Sequence, residues 1–380
     1  MKVSLSLYKD ASFAAGSNRE AINESTVNLV LGFGEKNILA NENIYKQLKE
    51  KYSTADIVLC STAGEIYNDT VVDNTVSVTA IAFEKTQVKA VSVTIDDFSN
   101  SYQAGQGLVK QLPIENLAYV LVISDGAKVN GSELVRGINE VVQNKVPVTG
   151  GLAGDAARFQ STLVGLNEEP VSGKIVMIGF YGQHLKVSHG SMGGWDMFGP
   201  ERTITKSSSN RVYEIDDKDA IDLYKLYLGA YAMELPGSAL LFPLSVTLPG
   251  TTEPVVRTIL TIDYQNKAMV FAGDVPLGSK VRFMKANFDK LVDAASQAGR
   301  QAVALNPQAS PKLAMLISCV GRKLILDNRI EEEVAAVSDV FGPNTLLTGF
   351  YSYGEISPFS LNATCQLHNQ TMTITTFDEN

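Results

Sequence analysis

The stretch GFYSYGEI, Gly349 to Ile356, with CQLHNQTMTIT, Cys365 to Thr375, behind it, decides how this chain is read. The first piece ends an apolar run at Leu346 and Leu347, breaks into small and hydroxyl-bearing residues, and closes on Gly354-Glu355. In the second, Met372 and Ile374 fall on one side of an extended chain, and Thr371, Thr373 and Thr375 on the other. That is the period-two pattern of a half-buried strand. His368, one of three histidines, enters this strand. A glycine beside a carboxylate at a strand end, facing a histidine-bearing strand, has the form of a binding site. It does not yet define a chemistry.

The same punctuation occurs twice more, in IVLCSTAGEI (57–66) and VPVTGGLAGD (146–155). Each closes on glycine plus an acid: Gly64-Glu65, Gly154-Asp155, Gly354-Glu355. Upstream lie the apolar strands NLVLGF (28–33), AYVLVIS (118–124) and LAMLIS (313–318), each followed by helical spacing over about 41–52, 130–143 and 329–341. NTVSVTAIAF from Asn74 and NQTMTITTF from Asn369 are matching strands after the first and third motifs. A repeated order of elements argues for internal duplication. The expected fold class is α/β in the mixed α+β sense: repeated strand–helix–strand–strand units with pseudo-symmetry, in two halves. Gly64, Gly154 and Gly354 are expected at equivalent turns.

Composition narrows the function. With 45% hydrophobic and 19% charged residues over 380, the chain is globular and long enough for two domains. A net charge of −9 with no Lys/Arg cluster argues against nucleic acid or an anionic membrane as partner. Three cysteines, Cys60, Cys319 and Cys365, suit a reducing compartment. The N-terminal MKVSLSLYKD is too short and polar for a signal peptide, and no window approaches the roughly 20 apolar residues of a membrane span. A cytoplasmic protein is expected.

Along the chain, Gly32-x-Gly34 lacks the third glycine of a nucleotide loop and no helix is expected directly after it. Asn41 is a candidate cap for the helix over 41–52, and Asn130 or Ser132 for that over 130–143. His184 and His189, five apart, fall on opposite faces of a strand and make a poor metal pair. A domain boundary is placed near 215, giving parts 1–215 and 216–380, with Asp216 or Asp217 capping the next helix. A further helix starts at Asn287, and Gly342-Pro343 ends the last one.

Taken in order, CSTAGEI (60–66), GGLAGD (150–155), RVYEIDDKDAIDLYKLYLG (211–229), FAGDVPLGSKVRFM (271–284), SCVGRKLIL (318–326), GFYSYGEI and CQLHNQTMTIT make the sequence resemble the FIST-domain family of bacterial sensory modules. The resemblance implies a FIST N-terminal and a FIST C-terminal part. It also implies sensing of a small ligand, with the signal passed to a histidine kinase, chemoreceptor or cyclic-dinucleotide enzyme in trans. Some members of that family are haem proteins that respond to nitric oxide, and others bind amino-acid-like ligands. Haem is therefore the cofactor to test.

Each candidate residue carries two readings. Glu65, Asp155 and Glu355 either cap turns or converge on one cleft at strand ends. Gly151 is a place of close backbone approach. Arg322 either forms a structural ion pair or holds a ligand carboxylate. Tyr351 and Tyr353 either pack or bind. His368 is either a core histidine or the axial ligand of a haem. A thiol enzyme with Cys319 or Cys60 as nucleophile, His368 as base and Glu355 as orienter has no supporting signature. The expectation is a non-enzymatic sensor with its pocket between the halves.

Overall fold

The computed structural model describes residues 1–14, 21–143, 145–235, 237–307, 310–359 and 363–380. Three of its sheets are built on one plan. Each holds a parallel pair of apolar strands: Leu29–Gly34 with Asp56–Ser61, Leu117–Ser124 with Val148–Leu152, and Leu313–Cys319 with Leu346–Ser352. Each pair is flanked by an antiparallel strand from the same unit, Val76–Ala82, Lys174–Tyr181 and Met372–Glu379 respectively.

The short strand after each glycine–acid motif leaves its own sheet for the next. Glu65–Tyr67 joins the third sheet, Gly354–Pro358 the second, and Val164–Leu166 the first. The three units therefore close into a ring by exchanging edges, which covers strand edges that would otherwise be open to association. A cyclic set of backbone bonds marks the junction: Ala63 N–H to Tyr351 O (2.8 Å), Tyr353 N–H to Leu152 O (3.2 Å) and Gly154 N–H to Ser61 O (2.8 Å).

Strand alternation explains the layering. Leu29, Leu31 and Phe33 point inward with Tyr119, Leu121, Ile123, Leu313, Met315 and Ile317 to form one central core. The intervening residues point out beneath helices: Val30 under Ile44–Lys51, Val120 and Val122 under Gly131–Val142, Ala314 and Leu316 under Phe288–Leu305 and Ile330–Phe341. Each such Val, Leu, Ile, Met or Phe side chain contributes about 1.5–3 kcal/mol on burial. Glycine has a packing cause at two equivalent places. A Cβ on Gly150 or Gly349 would lie 1.9 or 1.8 Å from the carbonyl oxygen of Val122 or Leu316 in the parallel neighbour.

The third unit opens with Leu185–Met192, which pairs with Met372–Glu379, and resumes at the helix Phe288–Leu305. Between them, strands from Asp196–Ser208 to Lys280–Lys285 form an eight-stranded sheet with the helix Ala220–Leu228. This insert has its own core, including Ile204, Tyr224, Phe271 and Phe283. The cut near 215 falls at the end of the strand Arg211–Ile215, inside that sheet.

Local expectations need four corrections. The helix over 41–52 is two, Lys36–Asn41 and Ile44–Lys51, broken at Asn43 in the left-handed region (φ 50°). The first follows Gly34-Glu35 directly, and Glu35, not Asn41, caps it. The Ala220–Leu228 cap is Asp219, whose carboxylate accepts the N–H groups of Ile221 and Asp222, while Asp216 and Asp217 form a turn at positive φ. Finally, the ring of backbone bonds aligns Gly154 with Ala63 and Tyr353, not with Gly64 and Gly354. The middle motif is one residue shorter than the others.

Candidate functional site

Glu65 and Glu355 are structural twins. Both are almost fully buried. Oε1 of Glu65 accepts from Thr62 (2.6 Å) and Oε2 from Thr75 (2.7 Å). Oε1 of Glu355 accepts from Ser352 (2.6 Å) and Oε2 from the Thr371 hydroxyl and N–H (2.9 and 3.1 Å). Burial pushes each carboxyl up to about 8, against the hydroxyl partners that favour the anion. Thr62 and Ser352 occupy the same position, three residues before the acid. They fasten each turn to its sheet rather than presenting a carboxylate to a ligand.

Asp155 departs from this pattern because of its shorter motif. It accepts from Lys36 (2.9 Å) and from Arg158 Nε (2.7 Å), and Arg158 also reaches Glu35 (2.7 Å). Burial works against its ionisation, but these donors outweigh it and hold Asp155 below the ordinary carboxylate range. Arg322 is a buried structural cation. Its Nε and Nη2 meet Glu333 Oε2 at 3.0 and 2.8 Å, and its other bonds go to the carbonyls of Gly193 (2.6 Å) and Leu291 (2.7 Å). The Tyr351 hydroxyl donates to Glu333 Oε1 (2.9 Å), as does Ser318 (3.1 Å). Arg322 and Tyr351 thus serve one closed network rather than a ligand. Gly151 pairs with Glu355 in the sheet, and a Cβ there would meet Ile317 at 2.7 Å.

His368 lies opposite Glu355 in an antiparallel pair, 1% exposed, with Nε2 on the Ser357 carbonyl at 3.0 Å. Burial lowers its pKa to about 4. It lines neither chamber of the cleft described below, so an axial role would require it to leave both its sheet and the Ser357 carbonyl. The residues present do not fit haem at His368. Among the described residues no group of three or more His, Cys, Asp or Glu is placed to hold a metal ion. The thiols of Cys60 and Cys365 donate to the backbone carbonyls of Ser61 and Val148, and burial raises all three thiol pKa values. Among the described residues no Cys–His hydrogen bond is formed, so the thiol-enzyme arrangement lacks its first contact.

The cleft lies between strand ends of the three-unit core and the insert. One chamber, about 440 Å³, runs along residues 126–131 and meets Asn210, Phe271 and Gly273 of the insert. The second, about 430 Å³, is walled by Thr258, Leu260 and Ala272 of the insert and by Cys319, Gly321 and Asn369 of the core. Phe159 and Tyr353 stand in the walls of both, their rings stacked at 4.7 Å and 20°. The Tyr353 hydroxyl accepts from Phe159 N–H (3.0 Å) and donates to the Ala156 carbonyl (3.2 Å), which fixes the pair. Of the eight residues expected to bind a ligand, Tyr353 alone lines this cleft, and of the two cysteines weighed as nucleophiles only Cys319 does.

Two side chains of the second chamber are unusual. Asn369 is 0% exposed, yet neither its Oδ1 nor its Nδ2 has a hydrogen-bond partner among the described residues. Thr258, 4% exposed, likewise has no partner for its Oγ1 among the described residues. Buried polar groups in native proteins are almost always paired, and each orphan costs about 1–3 kcal/mol. Asn369 sits in the quoted strand segment as the polar residue beyond His368, the one signal that could have found it. Thr258 and Phe159 carry no such signal, because only the folded insert and the long loop after Asp155 bring them together.

The insert is held beside the core by polar anchors. Buried Arg257 donates to the Leu367 carbonyl (2.9 Å) and to that of Asp274 (3.1 Å). Asn130 donates to Asp274 Oδ1 (3.0 Å), and Trp195 Nε1 to the Gln370 carbonyl (2.9 Å). Among the described residues no helix is long and apolar enough to cross a membrane.

Comparison with known proteins agrees with the architecture at family level. No curated protein matches the chain. The crystal structure of a cyanuric acid hydrolase from A. caulinodans aligns over 94% of this chain and 92% of its own, with TM-score 0.36 and 7% identity. The model of the FIST N domain matches residues 28–218 and that of the FIST C domain residues 220–358. Together these matches span most of the sequence, and the chain belongs to the FIST family, whose domains sense small ligands in signalling.

Proposed function

We propose that this protein is a non-enzymatic sensor of a small molecule other than haem, and that the ligand occupies the cleft between the three-unit core and the insert. The observation that carries the reading is Asn369, a fully buried amide with both ends unpaired on the wall of an apolar chamber. A folded protein keeps such a group at a cost in stability, and a ligand that pairs with it recovers the lost bonds. Thr258 supports the same reading from the opposite body. A ligand that touches both ties insert to core and shifts the population of their relative arrangements. A kinase, chemoreceptor or cyclic-dinucleotide enzyme acting in trans would read that shift.

The test is a thermal-shift screen of small metabolites on wild type and on Leu260→Arg, which drives a charge into the shared wall. Hits lost in the variant support the cleft; hits that persist with equal affinity place the site elsewhere. Titration with ferric haem is expected to give no saturable Soret change, and saturation would overturn the haem-free reading.

A further inference from the structure

We infer that the chamber beside Asn369 selects an uncharged ligand bearing a cis-amide edge, a carboxamide or lactam, over carboxylates, ammonium ions and zwitterions. The inference rests on the cleft being the ligand site. It starts from what an asparagine side chain can pair with. The amide presents a carbonyl acceptor next to N–H donors. Its complement is a group with one donor and one acceptor side by side, as when asparagine reads the N6/N7 edge of adenine. A carboxylate offers two acceptors, so one of its oxygens would face Oδ1. An ammonium offers donors alone and leaves Nδ2 unpaired. A cis-amide satisfies both atoms in a two-bond ring once the fully buried Asn369 side chain turns toward the chamber. The conclusion does not depend on which way the Asn369 amide is turned, since the edge is self-complementary in either orientation.

Charge gives the same answer independently. Among the described residues lining this chamber, none carries a formal charge. Its walls are Leu240, Ile259, Leu260, Ala272 and Val320 with the hydroxyls of Thr258 and Thr261. Moving an unpaired ion into such surroundings is far more costly than moving a neutral amide. Glu355 and Arg322, the nearest sequence candidates for charge complementarity, are already engaged within the core, with Ser352 and Thr371 and with Glu333 respectively. The Phe159–Tyr353 pair adds a flat aromatic wall, suited to a planar ring on the ligand. Thr258 Oγ1 remains as a further bonding position across the chamber.

The experiment uses acid–amide pairs on the full chain: nicotinamide against nicotinate, benzamide against benzoate, with leucine as a zwitterion, titrated calorimetrically at neutral pH. Each carboxamide is expected to bind at least tenfold tighter than its carboxylate, and leucine not to bind. Asn369→Leu is expected to weaken carboxamide binding at least tenfold while melting no lower than wild type, because it removes an unpaired buried amide. Thr258→Val provides a second variant should the first fail to fold, with a several-fold loss expected. Carboxylate or leucine binding as tight as the amides, amide affinity indifferent to Asn369→Leu, or no saturable amide binding would each overturn the inference. If charged probes bind and Leu260→Arg abolishes them, the inference falls while the cleft stands. Binding that survives Leu260→Arg removes both.

Discussion

Replacing Glu355 by glutamine should make this protein more stable at alkaline pH, although the residue is buried and fully hydrogen-bonded. Burial raises the carboxyl from its ordinary 4.5 to about 8, so at neutral pH the folded state holds a proton that the unfolded chain has lost. Folding then competes with ionisation. The stabilising contribution of the neutral acid is fully present below pH 4.5 and is lost as pH rises to about 8, above which the cost is constant. At about 1.4 kcal/mol per pH unit, that interval corresponds to at most about 5 kcal/mol. The hydrogen bonds suit either species. With the proton, or the glutamine NH2, on the Oε1 side, Ser352 Oγ turns to accept, while the other oxygen keeps both Thr371 donors. Glu355→Gln should therefore match wild type within about 1 kcal/mol at pH 5 and exceed it by a few kcal/mol at pH 9. Urea unfolding at the two pH values measures this directly. Glu65→Gln, with the same geometry and an equally raised carboxyl, should show the same sign. Parallel pH curves for variant and wild type would refute the assignment of a neutral acid at this position.

Three further outcomes follow from the same structure. Glu333→Ala strips the buried Arg322 of its counter-ion and should cost about 3–5 kcal/mol in chemical denaturation, whereas a surface pair such as Lys206–Glu214 should cost under about 1 kcal/mol. Arg257→Met removes the donors to Leu367 and Asp274. Limited proteolysis followed by mass spectrometry should then show earlier cleavage within 196–285 than in wild type, while unchanged cutting would mean the insert is held elsewhere. Phe159→Ala removes one half of the stacked pair and should join the two chambers. We expect a loss of about 1 kcal/mol or less for this half-exposed ring, with tolerance of larger cleft ligands in competition binding.

The repeat was legible because it is written in strand periodicity and punctuation. NLVLGF, AYVLVIS and LAMLIS are short apolar runs followed by helices, and their alternating residues do divide between the central core and the helix layers. The cap at Asn130, one of the two candidates, and the helix start at Asn287 were legible for the same local reason. What was not legible depends on contacts distant in sequence. Glu333 stands in a run of three glutamates at a helix start, where all three read as solvated dipole partners, and nothing local marks it as the counter-ion of Arg322. The insert was invisible as a separate body, because its strands read like any others and its place inside the third unit is a matter of topology. The glycine–acid motif was real, and turn closure was one of the two readings it carried. Two acids close turns through hydroxyls three residues earlier, and the glycines at 150 and 349 relieve close contact between parallel strands.

Broken symmetry is what converts this scaffold into a site. In the first and third units a hydroxyl, Thr62 or Ser352, precedes the acid and draws the turn straight into an exchanged strand. In the second unit Ala153 holds the hydroxyl's position and the motif is one residue short, so Asp155 has no such partner and binds Lys36 and Arg158 instead. The chain then runs to Val164 before its exchanged strand begins. That longer excursion, with Ala156 and Phe159 at positive φ, carries Phe159 onto the ring of Tyr353. The insert interrupts the third unit, so it borders strand ends from the second and third units, and among the described residues none of the first unit lines either chamber. Restoring the symmetric arrangement is therefore a test of origin. Shortening the loop between Asp155 and Val164 so that the acid leads straight into its exchanged strand, as at Glu65–Tyr67, should preserve the fold, since the exchanged strand keeps its partner Asp56–Ser61, but should remove Phe159 together with the backbone groups of Ala156 and Phe159 that fix Tyr353, and with them small-ligand affinity. Circular dichroism would register the intact fold and calorimetry the lost binding; retained affinity in the shortened chain would separate the site from the asymmetry.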